Sequence, residues 1–357
     1  MPPRRSVAMT EALMAVAPGR PLREGLDRIL QSKLGALIVV GDGPEVLSIC
    51  SGGFLLDAEL TPQRLAELAK MDGAIILDSK AERIARANVH LVPDPSVPTS
   101  ETGTRHRTAE RVARSIDVPV ISISETMAVI AVYRGDEKHR LQPIPTLVAR
   151  ANQALQTLER YKNRLDAVSA SLSALEVEDL VTLGDVATVL QRAEMVRRIA
   201  EEVDGYLLEL GEEGRMLLLQ LEELMSGVED DRRLVVRDYL PVDNKEALDE
   251  AIRQLAELPT EELLNTSRVA SILVKEGEQP VLDTALTPRG YRMLTRLHRL
   301  PDSAIEALVK RYGALSRALR ATVEELQQLE GVGEERARIV QEGLARLAES
   351  SILERYG

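Results

Sequence analysis

Residues 34–42 read LGALIVVGD, a short run of branched apolar residues with a glycine on either side. A run this short and this rich in Ile and Val predicts a β-strand rather than a helix. Working outward, GAIILD (73–78), RIARANVHLV (83–92), VPVISIS (118–124) and MAVIAVY (127–133) have the same character. Between them, TPQRLAELAK (61–70) opens with Thr61 as N-cap and Pro62 at the first helical position. Strand and helix patterns alternate, and the last two strands are close enough to pair antiparallel. Residues 1–143 therefore read as one mixed α/β sheet domain with flanking helices.

The period then changes. Leu147, Ala151, Ala154, Leu158, Tyr161, Leu165, Val168, Leu172 and Leu175 are spaced alternately four and three apart. This is a heptad seam of about four heptads, longer than most globular helices. Residues 180–280 continue as acidic helical segments, and 144–286 reads as a helical linker. Two compatible roles are open: a bundle around one long helix, or a spine that separates or aligns the flanking domains. A third region, 287–357, opens with TPRGYRMLTRLHRLP, in which Thr287-Pro288 signals a helix start. Arg289, Arg292, Arg296 and Arg299 recur at helical spacing and are expected to share one face. In TVEELQQLEGVGEERARIV, Thr322 and Glu325 form a capping box, and Gly331 and Gly333 bracket a tight turn before a second helix. That is a helix-hairpin-helix signature. The expected fold class is α/β plus all-α.

Composition narrows the function. The net charge of −12 argues against nucleic-acid binding by the whole surface. Residues 287–357, however, carry 12 Lys/Arg against 10 Asp/Glu, so a polyanion would be met locally. Cys50 is the sole cysteine, which excludes an intrachain disulfide and a cysteine-based zinc site and fits a reducing cytoplasm. Arg4 and Arg5 precede the apolar run ALMAVA, but Glu11 interrupts the segment, which reads as an amphipathic helix rather than a signal peptide. No run approaches bilayer length. No G-x-x-x-x-G-K-[ST], G-x-S-x-G or H-E-x-x-H motif occurs.

Two short motifs carry chemistry. GTRHRTAER (103–111) places Arg105, His106 and Arg107 at the start of a helix whose buried face is Ala109, Val112, Ala113 and Ile116. A helix N-terminus is already positive, so two arginines there are unfavourable without an anion. In an extended lead-in, Arg105 and Arg107 would point the same way and grip one polyphosphate, with Thr104 or Thr108 capping the helix. Pairing with neighbouring carboxylates is the other reading, and His106 is open between a structural and a catalytic role. Asp72-Gly73 precedes a strand, where a carboxylate can hold a divalent ion facing a nucleoside triphosphate; an ordinary Asp-Gly turn is the other reading. In the C-terminal region, glycines at 331 and 333 let a backbone approach phosphates without reading bases. An ordinary glycine turn is the alternative. Few aromatics accompany them, which favours duplex or branched DNA over single strands.

MDGAIILD (71–78) and NVHLVPDPSVPTSETGTRHRTAERVA (88–113) together resemble the DGA and RHR motifs of the diadenylate cyclase family. With the helical middle and the C-terminal hairpin, the chain resembles the DNA-integrity scanning branch of that family over essentially its whole length. The resemblance implies condensation of two ATP into cyclic di-AMP with release of pyrophosphate. It implies that Gly73, Leu91 and Thr104 through Thr108 line the ATP site, with Ser124 near the phosphates. Asp72 would bind Mg2+ or Mn2+ and help activate the ribose 3′-hydroxyl, while Arg105 and Arg107 hold phosphates. An octamer with cyclase domains head to head, and synthesis damped by branched DNA, are also implied. Independently, a product with two identical halves favours a two-fold interface. A DNA-binding adaptor that only senses a nucleotide and a plain nucleotide hydrolase are the rival readings.

Overall fold

The computed structural model describes residues 6–275, 277–297, 300–328 and 333–356. The chain divides into two compact units, residues 1–153 with 203–220, and residues 154–202 with 221–357.

The first unit is built on eight strands: β1 (Ala36–Val40), β2 (Cys50–Ser51), β3 (Phe54–Glu59), β4 (Ala74–Leu77), β5 (Arg83–Leu91), β6 (Val120–Ser124), β7 (Val129–Arg134) and β8 (Glu137–Arg140). Their order is β2-β5-β4-β1-β6-β7-β8, with β3 also paired to β5. β1 and β4 are parallel, whereas β1–β6, β4–β5 and β6–β7 are antiparallel. The helices are α1 (Val7–Ala15), α2 (Pro21–Gln31), α3 (Pro44–Ser48), α4 (Pro62–Leu68) and α5 (Thr104–Ile116). Every residue of ALIVV in β1 is buried because both faces of the sheet are covered. Ile38 and Val40 join Met9, Leu13, Leu26, Ile29 and Leu65 on the side of α1, α2 and α4. Leu37 and Val39 join Ala109, Val112 and Ala113 of α5 on the other side. Layering of this kind turns an alternating strand into a continuous apolar run. Thr61 caps α4, accepting from the Arg64 amide at 3.2 Å. Strands β2, β3 and β8 lie outside the five segments that the sequence marks as strands. β3 buries none of its side chains fully and β8 reads EKHR, so neither carries an apolar pattern.

The remaining helices are α6 (Ile144–Glu178), α7 (Leu183–Leu210), α8 (Arg215–Met225), α9 (Val228–Tyr239), α10 (Lys245–Glu257), α11 (Thr260–Leu263), α12 (Thr266–Ala270), α13 (Tyr291–Thr295), α14 (Asp302–Tyr312), α15 (Leu315–Ala318), α16 (Val323–Gln327) and α17 (Glu334–Tyr356). The heptad seam is the single 35-residue helix α6. Its residues Leu147, Ala151, Leu158, Leu165 and Leu172 are buried, while Ala154, Tyr161, Val168 and Leu175 are half-buried. Near its end Ser169, Ser173 and Glu176 are buried too, so the apolar seam gives way to a polar one. Helices α13, α14, α16 and α17 share a core that includes Leu294, Leu297, Ile305, Leu308, Leu326 and Val340. The capping box of α16 is present, with the Thr322 hydroxyl and Glu325 carboxylate each accepting from the other's amide.

Candidate active site

One end of the sheet collects the sequence-predicted residues. Ile38 pairs with Ile75 in parallel, and Ala36 pairs with Ile123 antiparallel. The starts of β1 and β4 therefore lie beside the end of β6, which is Ser124. Ala74 pairs with Val89, which brings the end of β5 at Leu91 to the same edge. Gly35, Asp72, Gly73, Leu91 and Ser124 thus meet at one end. Glycine is obligatory at 73, where a Cβ would collide with the Asn88 and Val89 backbone. Ser124 is buried and accepts from the Met127 amide at 3.2 Å. Leu91 is buried in the core against α5.

Helix α5 starts at Thr104 itself, which corrects two expectations. Its N-cap is Gly103, at φ 85°, and no side chain caps it, neither Thr104 nor Thr108. Arg105 and Arg107 are both helical. Residues two apart on a helix diverge by about 200°, so these side chains do not share a direction. Arg105 lies over Gly35, where a Cβ would strike its guanidinium, and its Nη2 is 3.6 Å from Asp72. Asp72 is fully exposed and Arg107 and Thr104 are exposed, while Thr108 is half-buried. No acidic residue occupies the first turn. The result is a helix N-terminus with free amides, two guanidiniums and one nearby carboxylate, which is an anion site in its chemistry. His106 is half-buried. Burial holds its imidazole below the ordinary value, with Lys138, Arg140 and Arg105 pushing the same way against Glu101. At neutral pH it is therefore largely uncharged.

The loop between β5 and α5 is held from two sides. From α5, the Glu110 carboxylate accepts from the Thr99 hydroxyl, from the Ser100 amide at 2.9 Å and from the Ser100 hydroxyl at 3.1 Å. Arg111 donates to the Val97 carbonyl at 3.0 Å and Arg114 to that of Pro98 at 2.6 Å. Burial alone would raise the Glu110 pKa, but these hydrogen bonds and Arg114 outweigh it and hold the carboxyl below its usual range. From the sheet, Lys138 of β8 pairs with Glu101, which also accepts from the Tyr133 hydroxyl at 3.2 Å. Gly35, Glu101, Glu110 and Lys138 are site residues that the sequence motifs do not mark. Gly35 has a local signal, as a glycine against a buried strand. The others act only through a loop that folds back.

The arginines of the C-terminal region are arranged otherwise. α13 spans five residues and follows Gly290, at φ 107°, rather than Thr287-Pro288. Arg289, Arg292 and Arg296 do not line an exposed helical face. Arg292 is fully buried, donating to Glu176 at 2.7 Å and to Ser173 at 2.8 Å, with Asp231 3.6 Å away. Arg289 donates to the carbonyls of Arg237, Asp238 and Leu240 at the end of α9. Arg296 reaches Ser173 at 3.1 Å and Asp231 at 3.6 Å. In return, Asp238 accepts from the amides of Gly290, Tyr291 and Arg292 at the start of α13. These long-range partners, which spacing cannot reveal, neutralise the stripe. Arg299 and Gly331 lie outside the described residues. Gly333 is exposed, and a Cβ there would meet nothing within 4 Å.

Residues 23–138 match the family described as DisA bacterial checkpoint controller nucleotide-binding, and residues 141–282 match the DisA bacterial checkpoint controller linker region. The chain is 57% identical over 347 residues to the DNA integrity scanning protein DisA of Acidothermus cellulolyticus, spanning 96% of this chain and 94% of that protein. It is 53% identical over 351 residues to the protein of the same name from Streptomyces coelicolor, spanning 98% of this chain and 94% of the relative. Among solved structures, DacA from Staphylococcus aureus is similar over 36% of this chain and 86% of that one, with 23% identity and a TM-score of 0.28. Among the described residues, no helix is long and apolar enough to cross a membrane.

Proposed function

The chain belongs to the family of the DNA integrity scanning protein DisA, and on that premise we propose that it condenses two ATP molecules into cyclic di-AMP and two diphosphates. It is a nucleotidyltransferase of the diadenylate cyclase type. The observation that carries this reading is the sheet end where Asp72, Gly73, Arg105 and Ser124 meet an uncapped, acid-free helix start. In each of two equivalent steps, the 3′-oxygen of one nucleotide bonds to the α-phosphorus of the other. The bond to diphosphate breaks and the hydroxyl proton is lost. Little covalent work falls to the protein, so positioning and charge neutralisation dominate.

In this reading the α5 amides, Arg105 and Arg107 hold phosphates from different sides of the first turn. The Thr104, Thr108 and Ser124 hydroxyls complete the cradle, with Gly73 and Leu91 lining it. A largely neutral His106 contributes hydrogen bonding rather than charge. No group of three or more His, Cys, Asp or Glu residues that could hold a metal occurs among the described residues. The donor set nevertheless fits Mg2+ or Mn2+, because such ions accept one or two carboxylates and complete their shell with water and substrate phosphates. Asp72 would hold that ion, which when bound supplies charge neutralisation next to the attacking hydroxyl. Two copies meeting about a two-fold axis give both attacks the same geometry, and a cytoplasmic octamer of the chain, with its cyclase domains paired head to head, is part of the reading.

Residues 287–357 are read as a separate helix-hairpin-helix domain after a cyclase domain (1–143) and a helical linker (144–286). It would bind duplex or branched DNA and damp synthesis. Its support is the capping box, the shared core of α13, α14, α16 and α17 and an exposed Gly333 with open space around it. Arg292 is not part of that interface, being fully buried. Incubation with ATP and Mg2+ or Mn2+ should yield the cyclic dinucleotide, and a four-way junction should slow its formation. Release of ADP or AMP alone would make the chain a hydrolase, and binding without turnover would make it a sensor.

A further inference from the structure

A helix that leaves its first-turn amides free for a phosphate cannot also use an N-cap side chain to fix its own start. α5 has no such cap and no acidic residue in its first turn. Gly103, at φ 85°, gives the lead-in little intrinsic stiffness. Something else must hold Thr104 to Thr108 in place.

We infer that Glu110 is that positioning residue, a displaced cap that anchors the loop in front of α5 so that the phosphate-gripping turn stays preformed. The residue is only 7% exposed, and its carboxylate collects three hydrogen bonds from Thr99 and Ser100, together with an ion pair to Arg114 at 3.1 Å. Arg111 and Arg114, on the same stretch of helix, bind the Val97 and Pro98 carbonyls. The four residues before Glu101 are thereby tied to the helix they precede. Glu101 is pinned in turn by Lys138 and Tyr133. Only Thr102 and Gly103 then separate the anchored loop from the first turn. An N-cap acceptor would consume the amides the anion needs; a carboxylate nearly two turns further along does not. The Glu110 carboxylate bonds to Thr99, Ser100 and Arg114 rather than to the first turn, so it acts through the loop.

The inference rests on the cyclase reading, and its test separates the two. Full-length wild type, Glu110→Ala and Glu110→Gln would be compared for ATP KM and kcat, and for amide hydrogen exchange across 98–107. The alanine variant should raise KM about tenfold with a smaller change in kcat, a scale typical of losing anchored hydrogen bonds to a charged group. Glutamine, which keeps one acceptor oxygen, should recover part of the loss. Exchange should accelerate at 98–107 and not in the sheet. A general loss of folded protein would lower activity without moving KM. An unchanged KM with unchanged protection, or a glutamine variant no better than alanine, overturns the inference. Should Glu110 variants not fold, Thr99→Val with Ser100→Ala removes the same hydroxyl bonds from the loop side and must give the same KM shift. If wild type makes no cyclic dinucleotide, the cyclase reading fails, and local exchange alone supports or overturns the anchor.

Discussion

Two arginine-rich segments of this acidic chain are housed in opposite ways. At the start of α5, Arg105 is partly exposed beside one carboxylate at 3.6 Å, Arg107 is exposed, and the helix N-terminus adds positive charge without a cap. Around α13, Arg292 is buried between Glu176, Ser173 and Asp231, and Arg289 satisfies the last carbonyls of α9. Asp238 supplies the cap for α13 that α5 lacks. The first cluster has donors in excess of its partners. The second has its partners built in. An arginine cluster is an anion site when the fold withholds acceptors, and a clasp when it provides them.

The largest effect should come from the clasp. Arg292→Ala leaves the buried Glu176 without its counter-charge, with the Tyr239 hydroxyl still donating to it at 2.8 Å, and unfolding in urea should show a loss of about 3–5 kcal/mol. Arg105→Ala breaks only a solvent-screened pair with an exposed carboxylate, so its urea midpoint should stay close to wild type. Comparable losses would erase the distinction. Replacing both partners, Arg292→Met with Glu176→Leu, should restore much of the stability.

Next in size is Asp72→Asn, which keeps the side-chain volume but not the charge. Synthesis should fall about 10²-fold or more, with ATP binding far less affected. A near wild-type rate would remove Asp72 from the reaction. Gly35→Ala tests the same site from beneath. Its methyl group would displace chiefly the Arg105 guanidinium, a flexible end, and would press more lightly on the Ile123 carbonyl, 3.3 Å away. The protein should stay folded while kcat/KM drops about tenfold, corresponding to one charged hydrogen bond.

A smaller effect should appear with pH. Burial and the nearby Glu176 raise Asp238 to about 7 against the three amides that favour its charged form. Its folded pKa exceeds the unfolded value, so its contribution is complete below about 4 and is lost as pH rises through about 7. Urea midpoints from pH 5 to 8 should decline less steeply in Asp238→Asn than in wild type; parallel curves would contradict this. Smallest is the effect at Gly333, in the segment proposed to meet DNA. Gly333→Leu meets no packing obstacle, so its cost should fall on binding. The salt slope should shrink by about 0.9 for each phosphate that the variant no longer neutralises. An unchanged slope would take Gly333 out of the DNA interface.

Much of the fold is legible because its signals are local. ALIVV and AIIL are short apolar runs, VISIS is short and β-rich, α6 is one continuous helix, and Thr61 and Thr322 cap the helices their sequences announce. β3 and β8 escape because strands without buried side chains are held by backbone pairing, which leaves little pattern. Asp72 and Gly73 are legible as a motif, whereas Leu91 and Ser124 enter only through the resemblance to the family. Their meeting at one sheet end follows from register.

By itself, then, the sequence determined which segments bury apolar surface, which turns stop them and where charge is concentrated, since each depends on residues within a turn or two. It could not decide what a charge faces. Arg105 and Arg292 are alike on the page, and only the tertiary structure brings Glu176 from 116 residues away to one of them and leaves the other over a glycine. The same holds for Glu110, whose anchoring role exists only once the loop folds back across α5. The physical reason is range. Apolar periodicity is written within a helix or strand, whereas the partner of a buried charge is chosen by packing, at any distance along the chain.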